Sequence, residues 1–158
     1  MNRNAEALKT ALADREDRFI TKLIKIDRNS FTEADLGEAA ELLRTGHLVA
    51  FPTETVYGLG ANALDETAAK RIYAAKGRPS DNPLIVHIAE VSALAELASE
   101  VPESAYALAD AFWPGPLTMI LKKSDKVPKT TTGGLDTVAI RMPADPVAAT
   151  LIRLSGIY

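Results

Sequence analysis

Two cations stand two residues apart in Lys76-Gly77-Arg78, with no acid between them and with Pro79 and Pro83 close behind. Gly77 suits the left-handed end of a helix, and neither proline can continue one. The sequence therefore predicts both cations in an irregular loop. A lysine and an arginine fixed side by side suit an anion, and phosphate above all: one is a compact charge, the other a planar fork. The apolar run Leu84-Ile85-Val86-His87-Ile88 follows at once, which puts the loop at the entrance of a strand. A solvated turn stiffened by proline accounts for the same residues.

Other polar residues sit inside apolar runs. Arg141, in Val138-Ala139-Ile140-Arg141-Met142-Pro143, needs an anionic partner, either an internal acid or a ligand carboxylate gripped by its fork. Thr137 lies four residues earlier, hence on the same face of that strand. His87 alternates away from Val86 and Ile88 and so faces the other side of a sheet. It reads either as a hydrogen-bonded core histidine or as a ligand contact. Pro52-Thr53-Glu54-Thr55-Val56-Tyr57-Gly58 brings two hydroxyls and a carboxylate just beyond an apolar run, where open α/β sheets bind ligands. Turn capping explains the same threonines.

Three further stretches carry weaker signals. Gly58-Leu59-Gly60-Ala61-Asn62-Ala63 imitates a dinucleotide-binding fingerprint. The acid that would confirm it should end the next strand, whereas Asp81 precedes one. No Gly-Lys-Ser/Thr sequence offers a P-loop cradle. Lys122, Lys123, Lys126 and Lys129, diluted by Asp125, read as a solvated face, with RNA contact as the alternative. Trp113-Pro114-Gly115-Pro116-Leu117-Thr118 reads as an aromatic anchor and a sharp turn.

Composition narrows the classes. A chain of 158 residues, 47% of them hydrophobic, suits one domain with a real core. The net charge of -3 gives no global pull toward nucleic acid or membrane, so an anion site must be local. With no cysteine, disulfides, thiolate metal sites and cysteine nucleophiles are excluded. His47 and His87 are the only imidazoles, too few to suggest a catalytic zinc. No apolar run approaches the roughly 20 residues that span a bilayer. The polar N-terminus shows no secretory h-region. A cytoplasmic protein is the expectation.

The elements that must position these residues follow from periodicity. Residues 1–19 read as a charged leader, flexible or helical, and 20–158 as the folded domain. Thr21 to Ile26 alternates like a half-buried strand. Thr32 and Asp35 form a capping-box variant ahead of a helix whose apolar stripe is Leu36, Ala39, Ala40 and Leu43, ended by Gly46. His47 to Phe51 is a strand, Thr53 to Asn62 a loop, and Asp65 the cap of a helix running to about Ala75. A strand from Leu84 to Ala89 comes next, then a short helix with Leu94 and Leu97. A second helix carries the stripe Ala105, Leu108, Ala109 and Phe112. Strands over Leu117–Leu121 and Thr137–Met142 flank a loop, and a helix from Pro146 to Leu154 ends at Gly156, with a strand expected from Ile157. Interleaved strands and helices argue for an α/β fold with a twisted, open, mixed sheet.

Four blocks in order, Phe51 to Asn62, Lys76 to His87, Trp113 to Thr118 and Leu135 to Pro143, resemble the YrdC-like threonylcarbamoyl-AMP synthases. The resemblance covers about residues 20–158. It implies a nucleotidyltransferase that makes threonylcarbamoyl-AMP and pyrophosphate from L-threonine, bicarbonate and ATP. That adenylate would serve N6-threonylcarbamoyladenosine modification of tRNA, through a tRNA-modifying transferase complex. By motif, Lys76 and Arg78 match the family's Lys-x-Arg pair and are the expected catalytic cations, contacting ATP phosphates. Asn82 and Thr137 match nucleotide-site positions. Thr55, His87 and Arg141 match positions around bound threonine, with Arg141 holding its carboxylate. Mg²⁺ would be carried on phosphate oxygens, with no metal ligated by the protein.

The family's pattern continues with a strand and a Ser-x-Asn motif that completes the nucleotide site, while this sequence reaches Tyr158 first. The expectation is a fold incomplete at its C-terminus, with weak ATP binding and little synthase activity on its own. Two other classes share the fold: a double-stranded RNA-binding YrdC-like module, and the carbamoyl-adenylating domain of a hydrogenase maturation protein.

Overall fold

The computed structural model describes residues 21–158, and the expected leader over 1–19 lies outside them. Chain order among these residues is α1 (Glu33–Arg44), β1 (Val49–Phe51), β2 (Gly58–Gly60), α2 (Glu66–Lys76), β3 (Ile85–His87), a 3-10 turn (Val91–Ala93), α3 (Leu94–Leu97), α4 (Glu103–Phe112), β4 (Thr118–Lys122), β5 (Thr137–Arg141) and α5 (Pro146–Ser155). The expected α/β architecture with a mixed sheet is what forms. Its three-stranded sheet has the order β3-β5-β4, with β3 parallel and β4 antiparallel to the central β5.

Local chemistry explains most boundaries. Thr32 and Asp35 close a capping box on α1, and Leu36, Ala39, Ala40 and Leu43 are its buried stripe. Asp65 accepts from the Thr67 amide at the start of α2. Asp145, 2% exposed, accepts from the amides of Val147 and Ala148 at the start of α5. Gly156 ends α5 in the left-handed conformation.

Three expectations are corrected. Thr21 to Ile26 keeps its alternation, with Ile24 and Ile26 half-buried, but joins no ladder. Alternation alone cannot supply a partner strand. Residues 58–60, expected as loop, form β2, antiparallel to β1 with Val49 opposite Gly60 and Phe51 opposite Gly58. Glycine weakens strand propensity, yet here it makes room: a Cβ on Gly60 would stand 2.6 Å from Cε1 of Phe51. In α4 only Ala105 and Ala109 are buried, while Leu108 and Phe112 face solvent, because small residues let the helix lie close over its core. Where a strand is expected from Ile157, the Ala63 amide donates to the Tyr158 carbonyl at 2.7 Å.

Two clusters of buried side chains result. One lies under the three-stranded sheet and includes Val86, Ile88, Leu94, Leu97, Val138 and Ile140. The other joins α1 to α5 through Leu36, Ala40, Leu43, Phe51 and Leu151. The pleat turns alternate residues of the sheet away from its core. They form rows across the strands: Ile85–Ala139–Ile120, then His87–Arg141–Thr118. This second face is partly open, with Ile120 69% exposed.

Candidate functional site

A cavity of about 370 Å³ opens where the second sheet face meets α2 and the β1–β2 hairpin. It brings Lys76, Arg78, Asn82, Thr55, His87 and Arg141 into one lining. Thr137 is not in that lining. It stands exposed at the other end of β5, paired with Lys122.

The cation end is built by the close of α2. Lys76 is the last helical residue, correcting the expectation that both cations lie in the loop. Gly77 turns left-handed at φ 59°, and the Arg78 amide donates back to the Tyr73 carbonyl at 3.2 Å. Lys76 is exposed. Arg78 is half-buried and ties the loop to itself: its Nη2 donates to the carbonyls of Asn82 at 2.6 Å and Pro83 at 3.0 Å. Its guanidinium also sits 5.6 Å from the centre of the Tyr73 ring. The Tyr73 hydroxyl lies 3.1 Å from both the Asn82 and Thr130 carbonyls. Burial pushes its pKa up, which keeps it a donor. Gly133 packs so closely on the far side that a Cβ there would meet the Asp81 carbonyl oxygen at 2.8 Å.

The other end is built by β3, β5 and the turn after β1. Arg141, 11% exposed, donates through Nη2 to Oε1 of Glu54 at 2.7 Å and to the Thr55 hydroxyl at 3.2 Å. The anionic partner left open by the sequence is thus an internal acid. Glu54 also accepts from the Ala144 amide at 3.2 Å through Oε2. Burial pushes its carboxyl up, but the bond and charge of Arg141 and the backbone donors outweigh this and hold it below its ordinary value. Nε of Arg141 is buried and has no hydrogen-bond partner. Thr53 accepts from the amides of Thr55 and Val56 and donates to the Val56 carbonyl, so its role is turn capping.

His87 pairs with Arg141 across the ladder. Its ring meets Phe51 edge-on at 5.9 Å. Burial, with the nearby Arg141 charge, lowers its pKa despite its bond to the Ile85 carbonyl and the Glu54 charge. A carbonyl only accepts, so Nδ1, 3.1 Å from the Ile85 oxygen, carries the proton, and Nε2 of the neutral ring is left as an acceptor.

The cavity therefore offers a cationic end with an amide and a second end with a fork, a hydroxyl and a neutral imidazole. Such a pair of ends can hold phosphate oxygens at one and a small hydroxylated carboxylate at the other. Glu54 and Tyr73 were missed as site residues. Glu54 could have been suspected as the only acid in the run from Pro52 to Ala63. Tyr73 gave no signal beyond its place on the buried stripe of α2. The fingerprint-like glycines form β2 rather than a strand-to-helix turn. In the lysine patch, Lys126 pairs with Glu96 at 2.9 Å, Lys129 with Asp136 at 3.5 Å, and Lys123 donates to the Val127 carbonyl at 3.0 Å. Among the described residues no group of three or more His, Asp or Glu could hold a metal, and no helix is long and apolar enough to cross a membrane.

Known proteins share this fold. The Sua5/YciO/YrdC family profile, described as telomere recombination, matches residues 41–158. A threonylcarbamoyl-AMP synthase of Pyrococcus abyssi is 62% identical over 81% of this chain and 38% of its own length. One of Bacillus subtilis is 57% identical over 83% of this chain and 38% of its own. The crystal structure of P. abyssi Sua5 complexed with L-threonine superposes with a TM-score of 0.80 at 62% identity, covering 81% of this chain and 38% of that one. The chain thus spans under half the length of these relatives.

Proposed function

The chain belongs to the Sua5/YciO/YrdC family, and on that premise we propose that its cavity binds L-threonine and ATP and serves the synthesis of threonylcarbamoyl-AMP. Arg141 carries this reading: a nearly buried guanidinium lining a cavity beside a neutral histidine, in a chain 62% identical to a protein solved with L-threonine. Its fork takes the threonine carboxylate. The Thr55 hydroxyl and the Nε2 acceptor of His87 take the ligand's other polar groups.

The chemistry then needs position and charge rather than a covalent intermediate. The threonine amine adds to bicarbonate with loss of water, giving a carbamate. A carbamate oxygen forms a bond to the α-phosphorus of ATP, the bond to the bridging oxygen breaks, and pyrophosphate leaves. Lys76 lies against the phosphates as negative charge moves onto the leaving group. Arg78, committed to its own loop through Nη2, offers its charge and keeps Asn82 in place. Mg²⁺ arrives on the phosphate oxygens as part of the substrate. Thr137 shares the open face with Arg141 but lies roughly 13 Å along β5, at about 3.3 Å per residue. It can serve a ligand as long as a nucleotide, not threonine. The adenylate would pass, in the cytoplasm, to a tRNA-modifying transferase complex.

The direct test is calorimetric titration with L-threonine. Arg141→Lys keeps the charge and loses the fork, and its Kd for threonine is expected to rise by about tenfold or more. Unchanged affinity would remove the carboxylate role from Arg141. Pyrophosphate release that requires both threonine and bicarbonate tests the reaction itself.

A further inference from the structure

Glu54 touches Arg141 but does not line the cavity. It stands behind the guanidinium, and it is itself held: Oε1 takes Nη2 of Arg141 at 2.7 Å while Oε2 takes the Ala144 amide at 3.2 Å. One carboxylate thus joins the turn after β1 to the residues that lead from β5 into α5. The neighbouring Thr55, on the same turn, gives Nη2 a second acceptor at 3.2 Å. Nε has no acceptor within the protein and is itself buried. A guanidinium whose Nη2 is held by both Glu54 and Thr55 keeps one orientation, which is what recognition of a planar carboxylate demands.

We propose that Glu54 is the positioning residue of this site, fixing the Arg141 fork so that it takes a ligand carboxylate. This rests on the threonine reading above. The pair also solves a packing problem. An arginine this deeply buried costs much if left without a counter-charge, so Glu54 keeps the fork in the wall of the cavity when no ligand is bound.

The test compares L-threonine with L-threoninol, which lacks the carboxylate, on Glu54→Gln and Glu54→Asp. Glutamine has one acceptor oxygen where glutamate has two, and no charge. The wild type is expected to prefer threonine. Glu54→Gln should weaken threonine binding about tenfold and change threoninol binding less than twofold, collapsing that preference. Glu54→Asp, which keeps the charge, should recover part of it. A merely structural Glu54 would lower both affinities together and leave their ratio intact, which would overturn the proposal. If the wild type itself shows no preference for threonine, the threonine reading fails and this proposal falls with it. If the variants do not fold, the wild-type protein still decides: the Arg141 guanidinium should show restricted rotation in its side-chain ¹⁵N spectra without ligand, and free rotation would overturn the proposal.

Discussion

At the residue scale, the two cations of the opening motif do different work. Arg78 donates to two carbonyls of its own loop and lies near the Tyr73 ring; Lys76 is exposed on the last turn of its helix. Arg78→Lys should therefore lower stability by about 1–2 kcal/mol in urea unfolding, since an ammonium cannot reproduce the fork. Lys76→Ala should leave stability within about 0.5 kcal/mol while weakening phosphate binding. His87 makes a pH prediction. Its folded pKa lies below the ordinary 6.5, so the unfolded chain takes up the proton first. The contribution of His87 is fully present above pH 6.5 and is lost as pH falls from there toward the folded value. His87→Gln should flatten that part of the stability-versus-pH curve. The need for a partner was legible at Arg141, since an arginine in an apolar strand must find an anion. Which anion was not legible, because Glu54 lies 87 residues away along the chain.

Among the elements, helices were the easier reading. The capping box at Thr32 and the stripe of α1, the Asp65 cap of α2 and the glycine ends of α2 and α5 are local chemistry. Strand β2 was not readable, because Gly58-Leu59-Gly60 becomes a strand only through the Phe51 ring that lies against it. Gly60→Ala should lower stability by about 1–3 kcal/mol, since the ring it meets is buried and packed on His87. Gly37 makes the matched control: it is exposed in the interior of α1, and a methyl group added there would meet nothing within 4 Å. Gly37→Ala should raise stability by about 0.5–1 kcal/mol. Thermal or urea unfolding of the two variants separates a glycine kept for space from one that is not.

For the molecule as a whole, the cavity draws its walls from both buried clusters: Val86 from beneath the sheet, Leu43 and Phe51 from the α1–α5 side. On the proposed function, L-threonine at 100 times its Kd should stabilise the fold by about 2.7 kcal/mol, read as a rise in Tm. That juxtaposition was not visible in composition or periodicity. Each cluster can be read from its own stripe of apolar residues, but their meeting depends on how α5 returns over α1. The ladder through β5 also bears on how such a site can change over generations. Arg141 sits opposite His87 on one side and Thr118 on the other, and Ile140 next to it faces the core. Exchanging any one side chain alters the recognition at one row. Inserting or deleting one residue upstream in β5 would turn the guanidinium into the core and put Ile140 or Met142 in its place. Drift at this site is therefore open to substitution and closed to single-residue indels within the strand.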